Sequence, residues 1–279
     1  MAGSRPTAMS WGTTVLGTLA LGAALYGVVL AALWWGQEKL LFAPTVLRSD
    51  LVLPEAHDIH EVRIDVPGAQ LSALHLRLPD PKGVVFFLHG NGGSLQNWFV
   101  NPDYYRKANF DLFMIDYRGY GKSSGSITSQ AQLHADVRAA WDSIATRYAA
   151  RKRVIYGRSL GSGLAASLAT ELSAAQAPHL TVLVSPYRSV AALTAQHYPW
   201  VPEALLRYPL RTDALIGRIP NRLLLVHGEQ DALIPPGHSR ALQVLAPQAQ
   251  LLLVPGASHN DVQESPIYLD GLARALAGL

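Results

Sequence analysis

Val154-Ile155-Tyr156-Gly157-Arg158-Ser159-Leu160-Gly161 decides how this chain is read. A short run of β-forming residues leads into Gly-x-Ser-x-Gly, and an Ala/Leu-rich stretch of helical character leads out to about Ala174. That setting puts Ser159 on a tight strand-to-helix elbow. Strain at such a turn needs small neighbours, and the backbone must approach other elements closely, which is what Gly157 and Gly161 allow. The helix start behind Ser159 also offers free N–H groups and a positive dipole end to a developing oxyanion. Gly121-Lys122-Ser123-Ser124-Gly125 fits the same pattern but lies in a loop with no helix directly after it. It is not a phosphate-binding loop either, because Asp116 stands where the first glycine is required. Ser123 is therefore read as an ordinary loop residue.

Outward from the elbow, solid apolar runs alternate with helical patterns. Val84-Val85-Phe86-Phe87-Leu88 precedes His89-Gly90-Asn91-Gly92-Gly93, and Leu112-Phe113-Met114-Ile115 precedes Asp116-Tyr117-Arg118-Gly119-Tyr120-Gly121. Further apolar runs cover 180–184, 223–226 and 251–254. Two alternating stretches, 59–66 and 71–78, flank Pro67-Gly68 and read as an opening hairpin. Residues 129–149 have helical spacing, with Leu133, Val137, Ala140, Trp141 and Ile144 on one face. Continuous apolar strands separated by helices mean a parallel sheet covered on both sides, with ligands beyond the carboxyl ends of its strands.

The loops at those ends hold the partners a serine needs. Serine is a weak nucleophile until a base takes its proton, and the base needs an orienting acid. The 223–226 run is followed by His227-Gly228-Glu229-Gln230-Asp231, and the 251–254 run by Pro255-Gly256-Ala257-Ser258-His259. Asp231 is the expected acid and His259 the expected base. Asp261 is too near His259 in sequence to reach the far imidazole nitrogen. His89 and His227, at strand ends, read as structural residues satisfied by backbone groups, and His197 and His238 as surface residues.

The chain of 279 residues has 23 Lys+Arg against 20 Asp+Glu, a net charge of +3, and no Cys. Charged residues make up only 15%, against about 25% in typical soluble domains, and mean hydropathy is +0.13. Disorder, disulfides, thiolate metal sites and a Cys nucleophile are excluded. The basic surplus is too small and scattered to indicate nucleic acid, and no metal or other cofactor is expected. Residues 11–35 account for essentially all the hydropathy excess. They contain no charge, carry Trp11 at one end and Trp34-Trp35 at the other, and as a helix extend roughly 37 Å, enough to cross a hydrocarbon core of about 30 Å. A cleaved signal peptide would be shorter with a more basic start, and a core helix would be amphipathic, so an uncleaved anchor is expected. Lys39 and Arg48 nearly balance Arg5 and the amino terminus; the reading leans towards a catalytic domain on the non-cytoplasmic side.

From His89 to His259 the chain resembles the α/β-hydrolases. It is most similar to small membrane-anchored serine hydrolases related to the bud-emergence-type hydrolases and the α/β-hydrolase protein depalmitoylases. The carrying features are the 89–92, 116–123, 157–161, 228–231 and 256–259 motifs and Gln37-Glu38-Lys39-Leu40-Leu41-Phe42-Ala43-Pro44 after the anchor. The resemblance implies an α/β-hydrolase fold with a mostly parallel sheet of about eight strands. It implies Ser159 as nucleophile, His259 as base and Asp231 as acid. The oxyanion hole would use the backbone N–H of Leu160 and that of Asn91 or Gly92. Arg158 and Tyr117 are expected to border the substrate pocket. The expected organisation is a tail (1–10), an anchor in membrane lipid (11–35), a connector (36–57) and a catalytic domain (58–279) with a short lid-like insert (186–220). The expected substrate is an acyl ester or thioester, lipidic or lipidated where the anchor sets the location. A serine peptidase, or a non-catalytic binding or scaffolding protein on the same fold, are the alternatives.

Overall fold

The structure, a computed structural model, describes residues 11–53 and 56–279; the expected tail at 1–10 and positions 54 and 55 of the expected connector lie outside the described residues. The first element, α1 (Trp11–Leu41), is a single helix whose most apolar window is fully exposed. It runs past Trp35 without interruption, so the expected connector starts later than residue 36. Gln37, Glu38 and Lys39 have good helix propensity, and nothing stops the helix until the approach to Pro44.

Among the described residues, eight strands form one sheet: β1 (Ile59–Val66), β2 (Ala69–Leu76), β3 (Gly83–Leu88), β4 (Phe110–Ile115), β5 (Lys152–Arg158), β6 (Leu180–Val184), β7 (Arg222–Gly228) and β8 (Gln250–Val254). Their order is β1-β2-β4-β3-β5-β6-β7-β8. The β1–β2 hairpin and the β2–β4 pair are antiparallel, and all pairs from β4 through β8 are parallel. The helices are α2 (Leu95–Trp98), α3 (Pro102–Ala108), α4 (Gln130–Ala145), α5 (Leu160–Glu171), α6 (Val190–His197), α7 (Thr212–Leu215), α8 (Gly237–Leu245) and α9 (Pro266–Ala277).

The apolar runs read as strands because both faces of each are covered. In β3, Val84, Phe86 and Leu88 join the core on the α4–α5 side, while Val85 and Phe87 join the core on the α3–α9 side. Trp141 of α4 is wholly buried and meets Phe86 edge-on, with ring centroids 5.4 Å apart. Ser129 caps α4 by accepting the Gln132 N–H, which sets where this helix starts. Parallel pairing of β3, β5, β7 and β8 brings their carboxyl ends to one edge, so the loops carrying Asn91, Ser159, Asp231 and His259 converge there.

Candidate active site

Ser159 occupies the turn between β5 and α5 with φ 51° and ψ −120°. Positive φ at a non-glycine residue costs on the order of 1–3 kcal/mol and persists only where packing enforces it. Here it is enforced by close approach. A Cβ at Gly157 would lie 2.3 Å from the Gly161 carbonyl oxygen, and one at Gly161 would lie 2.1 Å from the Leu88 oxygen. The glycines of Gly-x-Ser-x-Gly are thus steric requirements of the elbow.

His259 Nε2 accepts from Ser159 Oγ at 3.1 Å, and His259 Nδ1 donates to Asp231 Oδ2 at 2.7 Å. Asp231 Oδ1 accepts the N–H groups of Leu233 (3.0 Å) and Ile234 (2.8 Å). Burial by itself would raise the Asp231 carboxyl. Hydrogen bonds from His227, His259 and the Ile234 amide outweigh it and hold the group well below the usual carboxylate range. Asp231 is therefore a fixed negative charge behind the imidazole at any ordinary pH.

His227 is the neighbour that sequence reasoning placed only in part. It is wholly buried, and its Nε2 donates to Ile234 O (2.6 Å), the backbone partner expected. The same nitrogen also lies 3.3 Å from Asp231 Oδ2, the oxygen that His259 Nδ1 meets, so both imidazoles hold the acid. His89 donates from Nδ1 to Gly90 O (2.7 Å), and burial pushes its pKa down to about 4. His238 is not on the surface as expected. It is buried, with Nδ1 accepting the Arg188 N–H, because α8 packs under the insert. Asp261 accepts the Ser258 N–H and shapes the His259 loop.

The loop after β3, where the second oxyanion donor is expected, is tied down by one side chain. Asn91 Oδ1 accepts the N–H of Ala43 (2.9 Å), its neighbour Gly92 N–H (2.9 Å) and the Tyr120 hydroxyl (3.0 Å). The Gly92 N–H is thereby occupied. Among the described residues, the N–H groups of Asn91 and Leu160 donate to no protein acceptor. The segment after α1 is laid along this loop: Thr45 N–H donates to Gly93 O (2.8 Å), while Leu47 N–H donates to Gly121 O and Gly121 N–H to Thr45 O. Phe42 anchors the segment by packing edge-on against Tyr208. The likeness of the 37–44 stretch to anchored hydrolases was the only sequence signal for this strap. Replacing Asn91 by Ala removes the shared acceptor and frees the loop. Because removing one oxyanion donor outright costs about 10²–10³ in kcat, Asn91→Ala is expected to lower kcat by roughly 10²-fold with a smaller change in KM, measured by steady-state hydrolysis of a p-nitrophenyl ester.

The two residues expected at the pocket rim part company. Tyr117 is 1% exposed and donates its hydroxyl to His89 O, so it meets core, not ligand; the bulky residue following β4 turns inward. Arg158 lines a cavity of about 380 Å³ together with Trp98, Tyr104, Asn260, Gln263 and Tyr268. Its guanidinium is also a clamp. It donates to His259 O (2.9 Å) and Asn260 O (3.2 Å), contacts Gln263, and stacks 5.0 Å from the Trp98 ring centre. Trp98 in turn donates to Gly92 O (2.8 Å) and stands beside Ser159, since a Cβ on Gly90 would touch both. Ser159 and His259 do not themselves line this cavity; Trp98, one of its walls, is the residue that lies next to the serine. Ser123, in the second Gly-x-Ser-x-Gly match, is buried, accepting Ser72 N–H and donating to Asp116 O.

A mostly parallel eight-stranded sheet with Ser, Asp and His on loops after β5, β7 and β8 defines an α/β-hydrolase. The chain belongs to the α/β-hydrolase superfamily. A family profile described as serine aminopeptidase, S33, matches residues 79–212, a range that includes Ser159 and ends before Asp231 and His259. Alpha/beta hydrolase domain-containing protein 17B of Xenopus laevis is 30% identical over 217 residues, 75% of this chain and 72% of the relative. An uncharacterised protein of Mycobacterium tuberculosis is 29% identical over 94% of both chains. Among solved structures, an esterase of Pyrococcus furiosus superposes with a TM-score of 0.66 at 18% identity, covering 85% of this chain and 98% of that one. A thioesterase domain from the curacin biosynthetic pathway gives 0.58 at 15%, covering 78% and 99%. The chain is a hydrolase.

Proposed function

We propose that this hydrolase is a membrane-anchored serine enzyme that cleaves acyl esters or thioesters through an acyl-enzyme on Ser159. The observation that carries the reading is the hydrogen-bonded line Ser159–His259–Asp231 at a strained elbow. Ser159 Oγ would attack the substrate carbonyl carbon as its proton passes to His259 Nε2. The resulting oxyanion would accept the N–H groups of Leu160 and Asn91, the two left free around it. Collapse would break the carbonyl–oxygen or carbonyl–sulfur bond, with the His259 proton going to the departing alcohol or thiol. Water would then repeat the sequence, His259 taking its proton and Ser159 leaving. The cavity beside Arg158, apolar along Val100, Met114 and Leu269, has the size of a small-molecule site and suits an acyl group. The anchor would be α1, spanning with residues 11–35, with 58–279 as catalytic domain and 186–220 lying over its active-site edge. The likeness to domain-containing protein 17B and the thioesterase and esterase structures agrees with acyl transfer.

The serine aminopeptidase profile favours a second reading on the same residues, amide cleavage next to a free amino group; Glu264 in the cavity wall would be its ammonium partner. A fluorophosphonate probe tests the reading, followed by turnover of p-nitrophenyl esters of rising chain length, an acyl thioester and aminoacyl anilides. Expected are labelling of the folded chain and turnover of esters or thioesters. Failure of a folded chain to label overturns the serine mechanism, and turnover of anilides alone overturns the acyl-ester assignment.

A further inference from the structure

The insert between β6 and β7 does more than approach the active-site edge: it is fastened along α1. Gln37, 5% exposed, donates to Leu205 O (3.0 Å) and accepts the Arg207 N–H (2.7 Å). Glu38 accepts the Tyr208 hydroxyl (2.8 Å) and pairs with Arg207 (2.6 Å), whose guanidinium lies 5.6 Å from the Trp34 ring centre. Higher on the same helix, Tyr26 donates to Trp200 O at 2.7 Å. Tyr26 and Gln37 are about 16 Å apart along the axis at 1.5 Å per residue. The tip of the insert therefore reaches well up the helix.

That reach sets its depth. A hydrocarbon core of about 30 Å takes roughly 20 helical residues, so a span beginning at Trp11 runs to about Leu30, and one bounded by the tryptophans runs to Trp35. Tyr26 is inside the core in both cases, by roughly 6 to 13 Å. Whatever is bonded to Tyr26 lies at membrane depth. The tip is built for that surrounding. No Asp, Glu, Lys or Arg occurs from Val190 to Pro202; of the first charges beyond, Glu203 pairs with Arg211 and Arg207 with Glu38. Tyr198 is 57% and Trp200 49% exposed. Backbone donors in lipid must be satisfied internally. Tyr198 N–H goes to Thr194 O, Val201 N–H goes to Tyr198 O, and Pro199 and Pro202 have no N–H to satisfy, which leaves Trp200 N–H as the one donor of residues 198–202 without a protein acceptor among the described residues. An apolar crevice of about 330 Å³ separates the tip from α1, walled by Leu33, Leu40, Leu41, Trp200 and Leu206. On the other side, the His197 ring donates to the carbonyl of Leu233, itself 60% exposed and two residues from Asp231.

We propose that residues 198–201 form a second membrane-inserted element, seated in the lipid beside α1. The bilayer is the occupant because α1 carries the tip into it; the inference rests on the reading of α1 as the anchor. The consequence is that the acid loop faces the bilayer, so an acyl substrate dissolved in the membrane reaches Ser159 without crossing water.

The absence of Cys makes single-site labelling direct. The full chain is reconstituted in phosphatidylcholine vesicles with and without doxyl-labelled phosphatidylcholine. An environment-sensitive thiol dye is attached in turn to Trp200→Cys, Val201→Cys, Leu21→Cys on α1 and Val244→Cys, an exposed site on α8. Expected are blue-shifted emission and loss of intensity with doxyl lipid at 200, 201 and 21, and neither at 244. Quenching at 21 but not at 200 and 201 overturns the inserted tip and leaves the anchor standing. No quenching at 21 overturns the anchor and the tip with it. Labels at 200 and 201 that are shielded from lipid and quench one another overturn it in favour of a contact between copies of this chain.

Discussion

Ser159→Ala is expected to give a folded protein that takes no fluorophosphonate and whose kcat falls by about 10⁵–10⁶-fold, the size of loss seen when a triad nucleophile is removed. That corresponds to roughly 7–8 kcal/mol of transition-state stabilisation. The change removes one oxygen whose only side-chain partner is His259 Nε2 at 3.1 Å. Alanine keeps the Cβ, so the strained φ is neither relieved nor worsened, and the Tm is expected to stay within a few degrees. Ser123→Ala should show the reverse pattern. It orphans the buried Ser72 N–H and the Asp116 carbonyl, costing about 1–3 kcal/mol in stability, while the folded fraction labels as wild type does. Activity and stability thus separate the two Gly-x-Ser-x-Gly serines: one variant is stable and inert, the other weakened and active. A Ser123→Ala protein that folds but does not label would move the nucleophile off the elbow.

The contrast between these serines shows what was legible in the sequence. A parallel sheet buried on both faces writes itself as unbroken apolar runs, so the strands from β3 to β8 were readable to within a few residues. The elbow was readable because its steric demands fall on residues adjacent in sequence, Gly157 and Gly161. The order of Ser159, Asp231 and His259 was readable because each follows its own strand. What escaped depends on chain segments that meet only in three dimensions. Arg158 clamps the carbonyl of His259, about a hundred residues away, and no local pattern signals that. Apart from the Asn91 side chain on Ala43 N–H, the strap from Ala43 to Leu47 is held through backbone groups, which carry no residue signature, so only the likeness of the 37–44 stretch pointed to it. Tyr117 and His238 are polar-tipped side chains that the fold turns inward against a backbone partner; the sequence pointed to the pocket rim for Tyr117 and to the surface for His238. The hold of the insert on α1 was hidden for the same reason, since Gln37 and Tyr26 look like ordinary members of an apolar helix and its end.

Asp231→Asn is expected to lower kcat by about 10⁴-fold, roughly 5 kcal/mol, with the fold retained. The carboxylate meets four N–H donors: Leu233 and Ile234 on Oδ1, His259 and His227 near Oδ2. Asparagine keeps one oxygen. If it serves the two backbone amides, the new NH₂ faces His259 Nδ1–H and His227 Nε2–H, donor against donor. His227 is held by Ile234 O, so His259 is the ring that changes tautomer. Its Nδ1 then accepts from the amide and its Nε2 carries the proton, which leaves Ser159 with no base. The loss therefore falls on kcat, and KM for a soluble ester should move little. Stability supplies an independent check. The folded pKa of Asp231 lies below the unfolded value near 3.9, so the unfolded chain binds this proton more tightly. The stabilisation is complete above about pH 5 and is lost as pH falls towards the folded value. Urea unfolding of wild type is accordingly expected to weaken more steeply between about pH 5 and 3 than that of Asp231→Asn, which has no charge at this site to lose. Equal slopes would mean that the Asp231 carboxylate is not held by its donors in solution, and the tautomer argument would fall with it.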